Sequence, residues 1–271
     1  MLLSVLIIIA AAAIIIYDSA RHLTVTAYTE EAPTIPESFD GFRIVQLSDV
    51  HGAEFGKGNA RLLEAVRGEK PDVIVLTGDL ITSLSDLDAA QTLVNGLSHI
   101  CPVFFVSGNH EYASRGMESV RDILDTAGVG YLNNRYILLE KEGESIVLAG
   151  LEDPNGPADM ISPEEVSAAA ASEQPGKFSI LLAHRNDLPV RHPGISFGLI
   201  LCGHGHGGVI RLPGVGGLLS TDRTLFPEYD AGLFHCAVGD MIVSRGLGGT
   251  FPIPRIFNRP EIVSVTLQRS E

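Results

Sequence analysis

The chain is poor in positive charge and gathers none of it into runs. Lys and Arg number 19 against 33 Asp and Glu, a formal net charge of −14 over 271 residues, and no Lys/Arg-rich stretch occurs. Such a surface offers no footprint for a phosphate backbone, which argues against nucleic acid as a partner but leaves room for one phosphate at a metal site. Cysteine is scarce as well. Cys101, Cys202 and Cys236 are odd in number, lack CxxC spacing and sit within or beside apolar stretches. Buried free thiols are the expectation, and a thiolate-rich structural zinc site is not. Internal repeats and low-complexity domains are also missing, so one large α/β domain is the simplest division of a chain this long.

Only one long apolar run is present. MLLSVLIIIAAAAIIIY, residues 1–17, contains no charge and, apart from its terminal Tyr17, one hydroxyl. It is close to the roughly 20 apolar residues that a membrane-spanning helix needs. Nothing basic precedes it, and Asp18-Ser19-Ala20 is a poor cleavage site. An uncleaved N-terminal transmembrane anchor over 1–17 is therefore expected, placing the protein at the cell membrane. Arg21 alone is too little charge to set the orientation. Residues 18–40, with Pro33, Pro36 and no sustained period, read as a linker that opens at most on a short strand. The compact domain is expected over 41–271.

From Gly41 onward, short apolar runs alternate with helical patterns. FRIVQLSD (42–49), VIVLTGD (73–79) and VFFVSGN (103–109) are strand candidates whose near-continuous apolar character suits burial on both faces. Leu62, Leu63 and Val66 share one helical face before the second run, and Leu87, Ala90, Leu93, Val94 and Leu97 share another before the third. A helix around 116–127 follows, then strands at 129–132, 135–140 and 145–150. Ser162 caps an alanine-rich helix that opens on Pro163-Glu164-Glu165. FSILLAH (178–184), FGLILCGH (197–204) and β-rich segments at 208–212, 233–238, 241–245 and 261–268 complete the chain. This order predicts two packed sheets with helices outside them.

Five of the apolar runs end in side chains that can ligate a metal: Asp49 with His51, Asp79, Asn109 with His110, His184, and His204 with His206. Residues just beyond the carboxyl ends of strands in an open α/β sheet converge in space. Each piece alone is ordinary, since Asp and His are common in turns; their joint occurrence after strands points to a metal site. Gly52, Gly78, Gly108, Gly203, Gly205 and Gly207 accompany them and permit sharp turns and close backbone approach.

The series Asp49-Val50-His51, Gly78-Asp79, Gly108-Asn109-His110-Glu111, His184 and Gly203-His204-Gly205-His206 resembles the calcineurin-like metallophosphoesterase superfamily over roughly residues 41–268. SDVHG, YLNNRYILL, GHGHGGVIRLPG, YDAGLF, VSRGLGG and FNRPEIVSVTL are similar to its membrane-anchored bacterial phosphodiesterase-like branch. The resemblance implies a four-layer α/β/β/α sandwich of two mixed sheets with flanking helices, and two divalent metal ions. Asp49, His51 and His206 would hold one ion, Asn109, His184 and His204 the other, and Asp79 would bridge them. His110 would stand outside the metal shell, near the leaving group. Gly205, Val209, Ala183, Asn186 and Glu111 depart from the branch's usual residues, but none of these departures removes a ligand.

A dimetal site of this kind clamps the attacking and leaving oxygens of a phosphoryl transfer, and an imidazole near its ordinary pKa of about 6.5 can protonate the leaving alkoxide. With only nitrogen and oxygen donors, Mn, Fe, Zn and Ni all suit the site. The implied activity is a membrane-anchored phosphoesterase, foremost a phosphodiesterase, on phosphate esters that include lipid- or envelope-derived ones. A pyrophosphatase acting on a nucleotide-sugar lipid and a non-catalytic metal-binding scaffold are the alternatives. Arg245 in SRGLGG has two readings, a phosphate contact or a structural tie.

Overall fold

The computed structural model describes residues 2–157, 160–221, 223–249 and 254–271, leaving aside the side chains at 2, 3, 8, 11 and 12. Two six-stranded mixed sheets stack face to face. The first has the order β1-β14-β2-β3-β4-β5, from β1 (Thr24–Ala32), β2 (Arg43–Leu47), β3 (Val73–Thr77), β4 (Val103–Val106), β5 (Gly130–Tyr131) and β14 (Glu261–Arg269). The second has the order β12-β13-β9-β8-β7-β6, from β6 (Arg135–Lys141), β7 (Glu144–Gly150), β8 (Ser179–Leu182), β9 (Leu199–Cys202), β12 (Gly232–Cys236) and β13 (Gly239–Val243). A small ribbon pairs β10 (Arg211–Leu212) with β11 (Gly216–Gly217).

The period-2 alternation of strand side chains divides the interior into three apolar layers. Val45, Leu47, Ile74, Leu76, Val103 and Phe105 face α2 (Ala60–Gly68), α3 (Leu87–Ser98) and α5 (Met117–Ala127), meeting Leu62, Leu93 and Leu124. Their neighbours Ile44, Val73, Val75 and Val106 face the other sheet and pack on Leu148, Ile180, Leu182 and Leu201. The far face of that second sheet, including Leu181, Ile200 and Met241, is covered by Val166 of α6 (Pro163–Glu173) and Leu188 of α7 (Leu188–Arg191). The result is the helix, sheet, sheet, helix layering expected from the sequence. Ser162 caps α6 as expected: its hydroxyl accepts the Glu165 N–H at 3.2 Å while the Glu165 carboxylate accepts the Ser162 N–H at 2.7 Å.

Two expectations about the N-terminal region change. Residues 24–32, read as the start of a linker opening at most on a short strand, form the nine-residue β1, which runs parallel to β14 along its whole length from Thr24↔Glu261 to Ala32↔Arg269. Ile35 and Phe39, also inside the expected linker, are fully buried between the sheets. An edge strand covered on one side needs no apolar run, so the composition of 24–40 concealed it.

The expected membrane anchor over 1–17 falls in α1 (Leu2–Arg21). Among the described residues, no helix is long and apolar enough to cross a membrane. The last turn of α1 is instead committed to the domain: Arg259 donates to Asp18 at 2.7 and 2.9 Å, and Ser19 is buried. All three cysteines are free; Cys202 is buried as expected, whereas Cys101 and Cys236 are half-buried.

Glu30 is the one acid of β1 that is buried. Burial, reinforced by Asp240 and opposed by His235, pushes its carboxyl up to about 7. The folded state then keeps a proton that the unfolded chain has released, so stability falls as pH rises from the ordinary 4.5 through about 7. Glu30→Gln is expected to flatten that fall, matching the wild type in urea unfolding at pH 5 and exceeding it at pH 8. An identical pH slope for the two proteins would refute the assignment.

Candidate metal centre

The seven candidate ligands lie just past the carboxyl ends of five strands from the two stacked sheets. Asp49 and His51 follow β2, Asp79 follows β3, His184 follows β8, and His204 and His206 follow β9. Asn109 opens α4 (Asn109–Ala113) after β4. The turns are laced together through their backbones: the Asp49 N–H donates to Gly78 O at 3.1 Å, His51 N–H to Asp79 O at 2.9 Å, and Gly203 N–H to His184 O at 3.0 Å. Five of the candidate ligands, Asp49, His51, Asp79, His204 and His206, hold φ between 48° and 65°. That left-handed region costs a non-glycine residue roughly 1 kcal/mol or more.

Close approach explains two of the glycines. A Cβ on Gly203 would lie 1.9 Å from Ser48 Oγ and 2.3 Å from Asp49 Oδ2, and one on Gly108 would lie 2.2 Å from Asp79 Oδ1. No larger residue fits either position without moving a ligand carboxylate.

The side chains converge into three overlapping groups: Asp49, His51 and His206; His51, Asp79 and His110; and Asp79, His184 and His204, each with ligand atoms within 4.8 Å of one another. His51 Nε2 lies 3.1 Å from His206 Nε2, and His204 Nδ1 lies 3.1 Å from His184 Nε2. Asn109 Oδ1 is also 3.1 Å from His184 Nε2, and Asp49 Oδ1 is 3.3 Å from His206 Nε2. Asp79 Oδ2 stands between the clusters, 3.6 Å from His51 Nε2 and 3.2 Å from His184 Nε2. Donor atoms held about 2.0–2.1 Å from one cation at right or tetrahedral angles are separated by roughly 2.8–3.4 Å. Most of these spacings match the edges of such coordination polyhedra, so the residues present fit a metal ion. His110 is brought to the same cluster, with its ring edge-on to His51 at a centroid distance of 4.9 Å.

Outer contacts orient the rings. His184 Nδ1–H donates to Thr77 O at 2.9 Å, and His51 Nδ1 meets the Thr82 hydroxyl at 3.0 Å. Burial, aided by His206, pushes His51 down to about 3, and burial with the nearby Arg255 guanidinium holds His206 well below the usual imidazole range. Both rings thus offer lone pairs. For His184, burial is overcome by Asp79, which raises the ring to about 10; in return His184 and His51 hold Asp79 below the usual carboxylate range despite its burial.

Several supporting residues were not singled out from the sequence. Arg255, buried among loops, donates to Gly248 O at 3.0 Å and to Arg245 O at 2.8 Å and approaches His206 Nδ1 at 3.3 Å. The Asn258 amide donates to His206 O at 2.7 Å and to Val209 O at 3.1 Å. Neither follows a strand, so no positional signal marked them. Arg245 resolves to its structural reading, since its Nε and Nη2 donate to the buried Glu261 carboxylate at 3.0 and 2.8 Å.

Glu111, noted in the sequence only as a departure, is fully buried and accepts four backbone N–H groups: Gly108 at 2.7 Å, Asp79 at 3.0 Å, Leu80 at 2.7 Å and Ile81 at 3.2 Å. One side chain therefore clamps the turns that carry Asp79 and Asn109. Glu111→Ala leaves these donors without acceptors and is expected to lose about 3 kcal/mol or more in urea unfolding. Glu111→Gln should recover part of it, and a loss below about 1 kcal/mol for the alanine variant would contradict the clamp.

The calcineurin-like phosphoesterase model matches residues 42–208. The chain is 29% identical over 263 residues to the metallophosphoesterase YkuE of Bacillus subtilis, covering 93% of this chain and 90% of that one. It is 27% identical over 232 residues to the phosphodiesterase YaeI of Escherichia coli, covering 83% and 82%. A transmembrane protein with metallophosphoesterase domain from Danio rerio is 29% identical over 252 residues, 87% of this chain and 55% of that protein. Geometry and relatives agree, and the chain belongs to the calcineurin-like phosphoesterase family of metal-dependent phosphoester hydrolases.

Proposed function

We propose that the protein is a dimetal phosphodiesterase attached to a membrane through α1. The observation that carries the reading is the position of Asp79, whose Oδ2 is shared by two imidazole clusters at 3.6 and 3.2 Å. Asp49, His51 and His206 would hold one divalent cation, Asn109, His184 and His204 the other, and Asp79 both. Such ions supply Lewis-acid charge to the phosphoryl oxygens and a nucleophile derived from water. Two divalent cations held by the Asp49 and Asp79 carboxylates would leave the site positive, which favours an anionic diester.

His110 is the proposed general acid. Its backbone N–H is fixed to Asp79 Oδ1 at 2.8 Å, and its half-buried ring lies against His51 at the cluster, from where it would protonate a leaving oxygen. The phosphodiesterase name of YaeI supports the diester preference. Membrane attachment is supported by the exposed apolar side chains Leu6, Ile7, Ile9, Ile14 and Tyr17 of α1 and by the transmembrane relative. Such tethering brings lipid- and envelope-derived phosphoesters within range.

The full chain in detergent is expected to carry two transition-metal ions and to hydrolyse bis(4-nitrophenyl) phosphate faster than 4-nitrophenyl phosphate. Chelation should abolish turnover and Mn²⁺ restore it. His110→Asn should keep both ions and lose about a hundredfold or more on an alkyl diester, and less on the nitrophenyl ester, whose leaving group needs no proton. Fewer than one ion per chain with no turnover after Mn²⁺ addition would favour the scaffold reading, and loss of an ion in the His110 variant would make His110 a ligand. Vesicle flotation checks the attachment: the full chain should float, and a chain starting at His22 should not.

A further inference from the structure

Arg185, next to His184 past the end of β8, has no role in the dimetal reading, yet it is a firmly anchored cation facing the centre. Its Nε donates to Asp153 Oδ2 at 2.7 Å and its Nη2 to Asp153 Oδ1 at 3.3 Å, while Nη1 lies 3.1 Å from His204 Nε2. The Asp153 side chain is wholly buried, whereas that of Arg185 keeps 26% of its surface exposed. Asp153 is itself fixed: its N–H donates to Ser107 Oγ at 3.0 Å, and its Oδ1 accepts the Asn155 N–H at 2.9 Å. Ser107 immediately precedes Gly108-Asn109. The guanidinium is thus gripped from behind by a buried carboxylate resting on the Asn109 turn, with its third nitrogen turned toward the ligands.

In the structure, Nη1 finds its acceptor in His204 Nε2, a pairing that requires the His204 proton to sit on Nδ1. The dimetal reading, on which this inference rests, requires the opposite tautomer. There the Nδ1 lone pair, 3.1 Å from His184 Nε2, belongs to the cluster and the proton moves to Nε2. Donor would then face donor, and Nη1 loses its acceptor. Asp153 keeps hold of Nε and Nη2, so the guanidinium cannot swing away and its remaining edge is presented to the pocket. We infer that Arg185 Nη1 takes a non-bridging oxygen of the substrate phosphate, with Asp153 as its positioning residue. A planar guanidinium immobilised beforehand gives up little freedom on binding a phosphate, which a lysine ammonium in the same place would not match.

The test uses the full chain in detergent, loaded with Mn²⁺, as wild type, Arg185→Gln, Arg185→Lys and Asp153→Asn. Metal per chain, the Kd of inorganic phosphate by calorimetry, and KM and kcat for bis(4-nitrophenyl) phosphate are measured for each. Arg185→Gln is expected to retain two ions while phosphate Kd and KM each rise about tenfold or more, with a smaller rise for Arg185→Lys. Asp153→Asn, which leaves the guanidinium present but loosely held, should give an intermediate rise. If Arg185→Gln alone fails to fold because Asp153 is left unpaired, the double variant Arg185→Gln/Asp153→Asn buries no charge and gives the same reading. An unchanged phosphate Kd with both ions in place overturns the inference, as does a loss of ions from the variant, which would assign Arg185 to holding His204. A wild type without ions or turnover overturns the dimetal reading as well.

Discussion

Electron-pair donors that face one another in a buried pocket set the terms for everything around them. Imidazole nitrogens 3.1 Å apart and carboxylates beside them gain nothing from one another by apolar contact, so a rigid frame has to hold them there. Two sheets stacked face to face provide it, because strand ends from both converge on one spot. The price of that convergence appears in the backbone, where five of the candidate ligands occupy the left-handed region. Glu111 offsets it by taking four N–H groups from the turns under strain.

Three arginines surround the centre, and their partners separate their roles. Arg255 spends its donors on backbone carbonyls, and its charge adds to burial in holding His206 below the usual imidazole range. Arg245 is closed on Glu261, tying the turn after β13 to the first residue of β14. Arg185 alone of the three is both gripped by a buried acid and turned toward a ligand ring with part of its surface open. The same chemical group thus serves as a loop brace, an inter-sheet tie and a positioned donor, according to which acceptors reach it.

Most of the fold was legible in the sequence because the strands that carry the site are buried on both faces. VIVLT and LILC are continuous apolar runs, and a polar or ligating residue just after such a run has few meanings. The same logic that located β3 and β9 located Asp79 and His204. The full length of β1 was hidden, a short strand being all that the segment suggested, because TVTAYTEEA, lying at a sheet edge, buries only Glu30 fully and needs no apolar signal. The docking of α1 was hidden for another reason: Asp18 and Arg259 are remote along the chain, and a pairing between exposed charges leaves no trace in either segment's composition. Arg245 could be narrowed only once Glu261 was placed beside it, since a single guanidinium in a glycine-rich turn fits either of two roles.

The pairing of β1 with β14 joins residues 24–32 to residues 261–269, and β14 is inserted between β1 and β2. On a ribosome the first strand therefore emerges long before its neighbour exists, and the sheet stays open until about 230 further residues have been made. Its closure is a late event in which a newer segment enters between two older ones.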